Sequence, residues 1–251
     1  MLRIENLTKI YGEHKAVDDL SLHIAPGEIY GFIGHNGAGK TTTLKSVAGI
    51  LRFDAGEILI NGKSIKADPV GCKREMAYIP DNPDMYEFLS GIKYLNFVAD
   101  IYGMTKAERE ERITKYADMF EITKDLAQPV SAYSHGMKQK LAIISAWLHE
   151  PKLILMDEPF VGLDPKASHI LKGMMREVCD AGGAIFFSTH VLEVAEKLCD
   201  KVAIIKGGRL IRSGTMEEVK GDDSLEEVFL ELEAELSLIH ISEPTRLDVI
   251  S

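Results

Sequence analysis

EIYGFIGHNGAGKTTTLKSVAGIL, residues 28–51, reads as a strand, a glycine-rich loop and a helix in unbroken succession. The apolar EIYGFIG runs into Gly34-His35-Asn36-Gly37-Ala38-Gly39-Lys40-Thr41, which fits G-x-x-x-x-G-K-[ST]. Beyond it Leu44, Val47, Ala48 and Leu51 recur at helical spacing. Glycines there let the backbone curl so that successive N–H groups point at a phosphate. The helix that follows aims its positive N-terminal end at the same spot. In such a loop Lys40 reaches the β- and γ-phosphates and the Thr41 hydroxyl holds Mg²⁺. The segment predicts a nucleotide site at Gly34, Asn36, Gly37, Gly39, Lys40, Thr41 and Thr42, without saying how the energy is used.

LILMDEP, residues 153–159, supplies the second half. An apolar strand ending in Asp157 places a carboxylate at the C-terminal edge of a sheet, where ligands of such sheets bind. Asp157 completes the metal site, directly or through water. Glu158 beside it sits where a base can polarise an attacking water. Taken alone, the pair also suits a buried strand ending in two solvated acids.

The rest of the chain frames these motifs. LRIENLTKIY, LSLHI and EIYGFIG read as three strands, the last two divided by Pro26-Gly27. GEILINGKSI repeats a strand-turn-strand pattern around Asn61-Gly62. From about Asp84 to Glu150 the periodicity turns helical. LILM at 153–156 and AIFF at 184–187 are apolar enough for fully buried parallel strands, and VAII with RLIRSG follow as a pair. The expected fold is an α/β P-loop NTPase core of mainly parallel sheet, with an antiparallel N-terminal β-subdomain and an inserted helical subdomain at about 84–150.

Bulk properties narrow the class. The 251 residues carry a formal charge of −10, which argues against nucleic acid as the main partner. Part of that charge is local, since residues 221–235 hold seven acids and no base. There Leu225, Val228, Phe229 and Leu232 recur opposite the acids, predicting an acidic amphipathic helix. No apolar run approaches the roughly 18 residues of a membrane span, and no signal peptide is visible. Cys72, Cys179 and Cys199 are scattered, as reduced thiols of a cytosolic protein are. LSLIHISEPTR, residues 236–246, resembles the in-frame translation of a transposase adapter used in DNA sequencing libraries. Residues 236–251 are accordingly set aside as a non-native tail, leaving 1–220 as the main domain.

YSHGMKQKL, residues 133–141, holds no acid and no obvious catalytic group, yet it places Ser134 and Gly136 at a helix start. Locally, N-capping by Ser134 accounts for it. A serine hydroxyl, bare N–H groups and a helix N-terminus also make an anion site. One chain then carries two phosphate sites on different subdomains, which a single γ-phosphate uses when two copies meet head to tail.

The whole set resembles the ATP-binding cassette (ABC) ATPases over roughly residues 2–220. In that family the signature segment of one subunit covers the ATP held by the other. YSHGM is similar to a divergent L-S-G-G-Q signature: Ser134 and Gly136 match, while His135 replaces a glycine and Met137 the glutamine. Gly162-Leu163-Asp164 matches the D-loop, which communicates between the two sites. Ser188-Thr189-His190 follows AIFF as the family's switch histidine does, and Tyr11 matches the aromatic that stacks on adenine. The family usually has a glutamine where YIPDNP puts Asp81, which could still contact Mg²⁺ or water.

The resemblance implies an ATPase with Glu158 and His190 as catalytic residues. Tyr11, the phosphate loop, Ser134, Gly136 and Asp164 would bind ATP; Thr41, Asp81 and Asp157 would hold Mg²⁺. It looks most like bacterial exporter subunits, including the Ecs-like group. The implied partners are a transmembrane permease subunit and a second ABC ATPase domain, with no nucleic acid, at the cytoplasmic face of the membrane. Met85-Tyr86-Glu87 and the helix after it are the expected docking groove. The alternative is a soluble ABC-type ATPase or nucleotide-gated regulator without transport. Against a soluble ATPase acting on DNA, Lys40 and Asp157 are 117 residues apart with no coiled-coil insertion, and basic runs are absent; His135 and Asp81 leave the regulator open.

Overall fold

The computed structural model describes residues 1–241, with side chains of the last helix described to Leu232 and at Ala234. The expected non-native tail from 236 onward lies largely outside those residues. In chain order the strands are β1 Leu2–Tyr11, β2 His14–Ile24, β3 Ile29–Ile33, β4 Ala55–Ile60, β5 Lys63–Ser64, β6 Met76–Ile79, β7 Leu153–Asp157, β8 Ala184–Thr189, β9 Lys201–Lys206 and β10 Arg209–Thr215. The helices are α1 Lys40–Val47, α2 Pro69–Glu75, α3 Gly91–Ile101, α4 Lys106–Met119, α5 His135–Trp147, α6 Pro165–Asp180, α7 Leu192–Leu198, α8 Met216–Lys220 and α9 Leu225–Ile241.

Two sheets divide the work. An antiparallel sheet runs β2-β1-β4-β5, and a six-stranded sheet runs β10-β9-β3-β8-β7-β6. In the second, β3 pairs in parallel with both β8 and β9, and β7 with β6 and β8; only β10 is antiparallel, joined to β9. Every residue of β3, β7 and β8 is buried. That explains why their sequences run apolar rather than alternating, up to the polar Asp157 and Ser188-Thr189 at the ends of β7 and β8.

Alternation survives as a choice between two cores. Ile29, Ile33, Ile154, Met156, Ile185 and Phe187 face one cluster, shared with α3, α5 and α6. Tyr30, Phe32, Leu153, Leu155, Ala184 and Phe186 face the other, shared with α1 and the antiparallel sheet. Because side chains leave a strand on opposite faces, each strand glues two layers together. Phe32 and Phe186 meet at 5.2 Å between ring centroids on one side, and Phe160 and Phe187 at 6.0 Å on the other. Truncating such a ring to Ala costs about 3–5 kcal/mol.

Strand β2 is longer than its alternation predicts. It begins at His14, six residues before LSLHI, and pairs with β1 up to Tyr11–His14. Register shifts along β1 break the two-residue alternation. Asn6 and Asp19, both at positive φ, bond to each other there at 2.8 Å. Irregular pairing hides a strand from a periodicity argument.

Helices α3, α4 and α5 lie between β6 and β7 in the chain. A capping box of Thr105 and Glu108 starts α4, and the Ser134 hydroxyl accepts the Met137 N–H at the start of α5. Asp164 caps α6, with Pro165 in the first turn.

Candidate nucleotide site

The C-terminal ends of β3 and β7 converge on a cleft of about 320 Å³. It is lined by Asn36, Gly37, Gly39, Lys40, Thr41 and Thr42 from the loop after β3, by Asp157 and Glu158 from β7, by Asp81 after β6, and by Ala16 of β2. Gly39, at φ +108°, sits where a side chain would run into the Ala16 carbonyl. The antiparallel sheet thus presses the loop from outside, and only glycine fits between.

Lys40 is the most constrained cation here, 6% exposed. Its Nζ donates to the carbonyls of Gly34 and His35 and lies 3.9 Å from Glu158 Oε1. Burial holds its pKa below the usual ammonium value, and Glu158 and Asp157 pull it back up. Thr41 Oγ1 donates to Asp157 Oδ2 at 2.6 Å, and the Ser188 hydroxyl donates to the other carboxylate oxygen. Beneath them burial, followed by the charges of Asp157 and Asp81, pushes the Tyr78 phenol well above its ordinary range.

Glu158 has an unusual backbone, with φ at +47° just past the end of β7. A non-glycine residue there is strained, at a cost of order 1 kcal/mol or more, so the surroundings must impose it. The imposing contacts run from its N–H to the carbonyl and hydroxyl of Ser188 on neighbouring β8, each 3.2 Å. The carboxylate then lies 2.9 Å from His190 Nδ1, and Oε2 accepts the His190 N–H at 3.4 Å.

Residues read together in the sequence therefore meet, but not all in one place. Gly34 joins the cleft through its bond to Lys40, and His190 through Glu158. Tyr11 does not line the cleft; it ends β1, 50% exposed, with the Lys9 ammonium 5.1 Å from its ring centroid. Ser134, Gly136 and Asp164 do not line it either. They form a second assembly: a Cβ on Gly136 would sit 2.6 Å from the Gly162 carbonyl, His135 packs on Gly162, and Lys140 lies 2.8 Å from Asp164.

Two contributors went unread in the sequence. Ser188, fully buried, positions both acids, and Lys140 ties α5 to Asp164. The signal for Ser188 was available: it pairs with Asp157 across adjacent parallel strands, each an apolar run ending in a polar residue.

The donor set suits Mg²⁺. A hydroxyl and a carboxylate 2.6 Å apart, with Asp81 on the same cleft, are hard oxygen ligands of the number this ion takes when phosphates supply the rest. Among the described residues no group of three or more His, Cys, Asp or Glu side chains forms a metal cage.

The family model for ABC transporters matches residues 17–161, more than half the chain. This chain belongs to the ABC transporter family. The cassette is similar to the ABC-type transporter ATP-binding protein EcsA of Bacillus subtilis, with 36% identity over 94% of this chain and 97% of that one. It is also similar to the Nod factor export ATP-binding protein I of Cupriavidus metallidurans, with 32% identity over 87% of this chain and 72% of the relative. A solved ATP-binding subunit of an ABC transporter superposes with a TM-score of 0.89 at 36% identity, covering 93% of this cassette and 99% of that subunit. Like its family, the cassette is an ATPase, turning ATP and water into ADP and phosphate.

Proposed function

We propose that the cassette powers a membrane exporter, binding Mg·ATP at the phosphate-loop cleft and working as a head-to-tail pair docked on a separate transmembrane subunit at the cytoplasmic face. One observation carries the reading: Lys40, Thr41, Asp157 and Glu158 converge on one cleft while Ser134 and Gly136 lie outside it. A phosphate-binding helix end away from its own cleft is useful to a second cassette.

The residues have distinct tasks. Incoming phosphates take the loop N–H groups and draw Lys40 from the carbonyls of Gly34 and His35. Thr41 and Asp157, with Asp81 on the same cleft, would hold Mg²⁺, which would supply positive charge to offset that of the phosphates. Glu158 accepts the proton of the attacking water, and His190 orients Glu158 and faces the γ-phosphate. Ser188 keeps both acids in place. Tyr11 stacks on adenine, and Ser134, Gly136 and Asp164 serve the ATP of the partner cassette.

Docking draws on the helical segment. Tyr86 packs against Phe88 and Phe97 at 5.9 and 5.6 Å, and all three rings are exposed, Phe88 by 79%. Exposed aromatics grouped this way suit a protein interface. Among the described residues no helix is long and apolar enough to cross a membrane, so the reading requires a separate membrane subunit. Export is supported by the name of the Nod factor relative.

The test is a pull-down of the tagged chain from detergent-solubilised membranes, with the co-purifying proteins identified by mass spectrometry. A stoichiometric polytopic protein is expected. Recovery of ribosomal or soluble partners, with nothing from the membrane, would overturn the transporter reading.

A further inference from the structure

The C-terminal helix reaches the phosphate loop. α9 buries Leu225, Val228 and Phe229, and its first turn is fastened to α7 through Glu196. One Glu196 oxygen accepts the Leu225 N–H at 3.3 Å, and the other lies 2.6 Å from Lys220. Ser224 and Glu227 close the helix start, each bonding the other's N–H. From this anchored end the Phe229 ring meets the His35 imidazole edge-on, with centroids 5.1 Å apart and planes at 67°. The same α7 begins two residues after His190.

His35 matters because of its backbone. The residue is exposed and among those lining the cleft, and its carbonyl accepts both the Ala38 N–H and the Lys40 ammonium at 3.1 Å. Whatever holds the ring therefore restrains the His35 backbone, whose carbonyl closes the turn to the Ala38 N–H and so shapes the loop whether or not Lys40 rests on it. An aromatic edge-to-face pair biases such an equilibrium by roughly two- to tenfold.

We propose that Phe229 is a positioning residue for the nucleotide site, acting through His35 to hold the phosphate loop in the shape that receives ATP. The proposal rests on the loop's binding ATP, and a role in packing α9 alone is the competing account.

Double-mutant analysis of the full chain separates them. Calorimetric titration with Mg·ATP should show Phe229→Ala and Phe229→Leu weakening binding about two- to tenfold, raising KM with kcat changed less than twofold. Phe229→Tyr should restore affinity, since it keeps the ring. His35→Ala should weaken binding to a similar extent, and adding it to Phe229→Leu should cost little more. The Leu variant keeps a buried apolar side chain, so it remains informative where the Ala variant fails to fold. Wild-type affinity in Phe229→Leu, or additive effects in the double variant, overturns the proposal alone. Absence of ATP binding by the unsubstituted chain overturns the nucleotide reading with it.

Discussion

Lys140 on α5 and Asp164 at the start of α6 are joined at 2.8 Å, and the other Asp164 oxygen accepts the Ala167 N–H at the same distance. One carboxylate thus caps a helix and binds the helix that carries Ser134 and Gly136. The Lys140 contact first, then the cap, holds the Asp164 carboxyl below the usual carboxylate range. Asn caps as well as Asp, so Asp164→Asn should keep stability within about 0.5 kcal/mol. Asp164→Ala should cost about 1 kcal/mol. Urea midpoints check this, and equal losses in both variants would make the ion pair the dominant contact.

Glu158→Gln removes the proton acceptor and leaves the cleft's shape. ATP turnover should fall about 10²- to 10⁴-fold while ATP affinity stays within a few-fold. Steady-state phosphate release and a binding titration measure the two. Unchanged turnover would exclude Glu158 as the base.

Gly136→Ala forces α5 away from Gly162, because the new methyl lands 2.6 Å from that carbonyl and backbone cannot yield as a side-chain tip does. A cost of about 1–3 kcal/mol is expected, together with a loss of turnover. Wild-type melting and turnover would show that this contact opens freely.

His149 gives the protein an acid-sensitive limb. Its ring stacks on Tyr102 at 3.6 Å, one nitrogen bonds the Met76 carbonyl, and burial pushes its pKa down to about 4. Between pH 6.5 and about 4 the unfolded chain binds this proton and the folded chain does not. The His149 contribution is therefore complete above pH 6.5 and is lost as pH falls toward 4, with a ceiling of about 3 kcal/mol. His149→Gln should flatten the fall in melting temperature over that window. An unaltered slope would assign the limb to other groups.

Legibility in the sequence followed regularity. The strand-loop-helix at 28–51 and the runs at 153–156 and 184–187 were readable because burial on both faces leaves no polar residue to confuse the pattern. The first half of β2 was not, since bulges at Asn6 and Asp19 destroy the period that would reveal it. Phosphate-loop residues and the acids after β7 were legible as local motifs. Ser188, 31 residues from Asp157, is marked only as the polar end of an apolar run, and nothing local marks Lys140, whose partner Asp164 lies 24 residues on. Tyr11 is a plain strand residue in local pattern, at the exposed end of β1, and only the family resemblance singles it out.

The separation of Ser134 and Gly136 from the cleft has a kinetic consequence. Under the head-to-tail reading, an isolated cassette is an incomplete catalyst, and its specific activity is not a constant. Turnover per chain then climbs with protein concentration at high dilution and levels off once pairs saturate. A membrane subunit that holds two cassettes side by side abolishes that dilution dependence, because it turns a collision between molecules into a rearrangement within one.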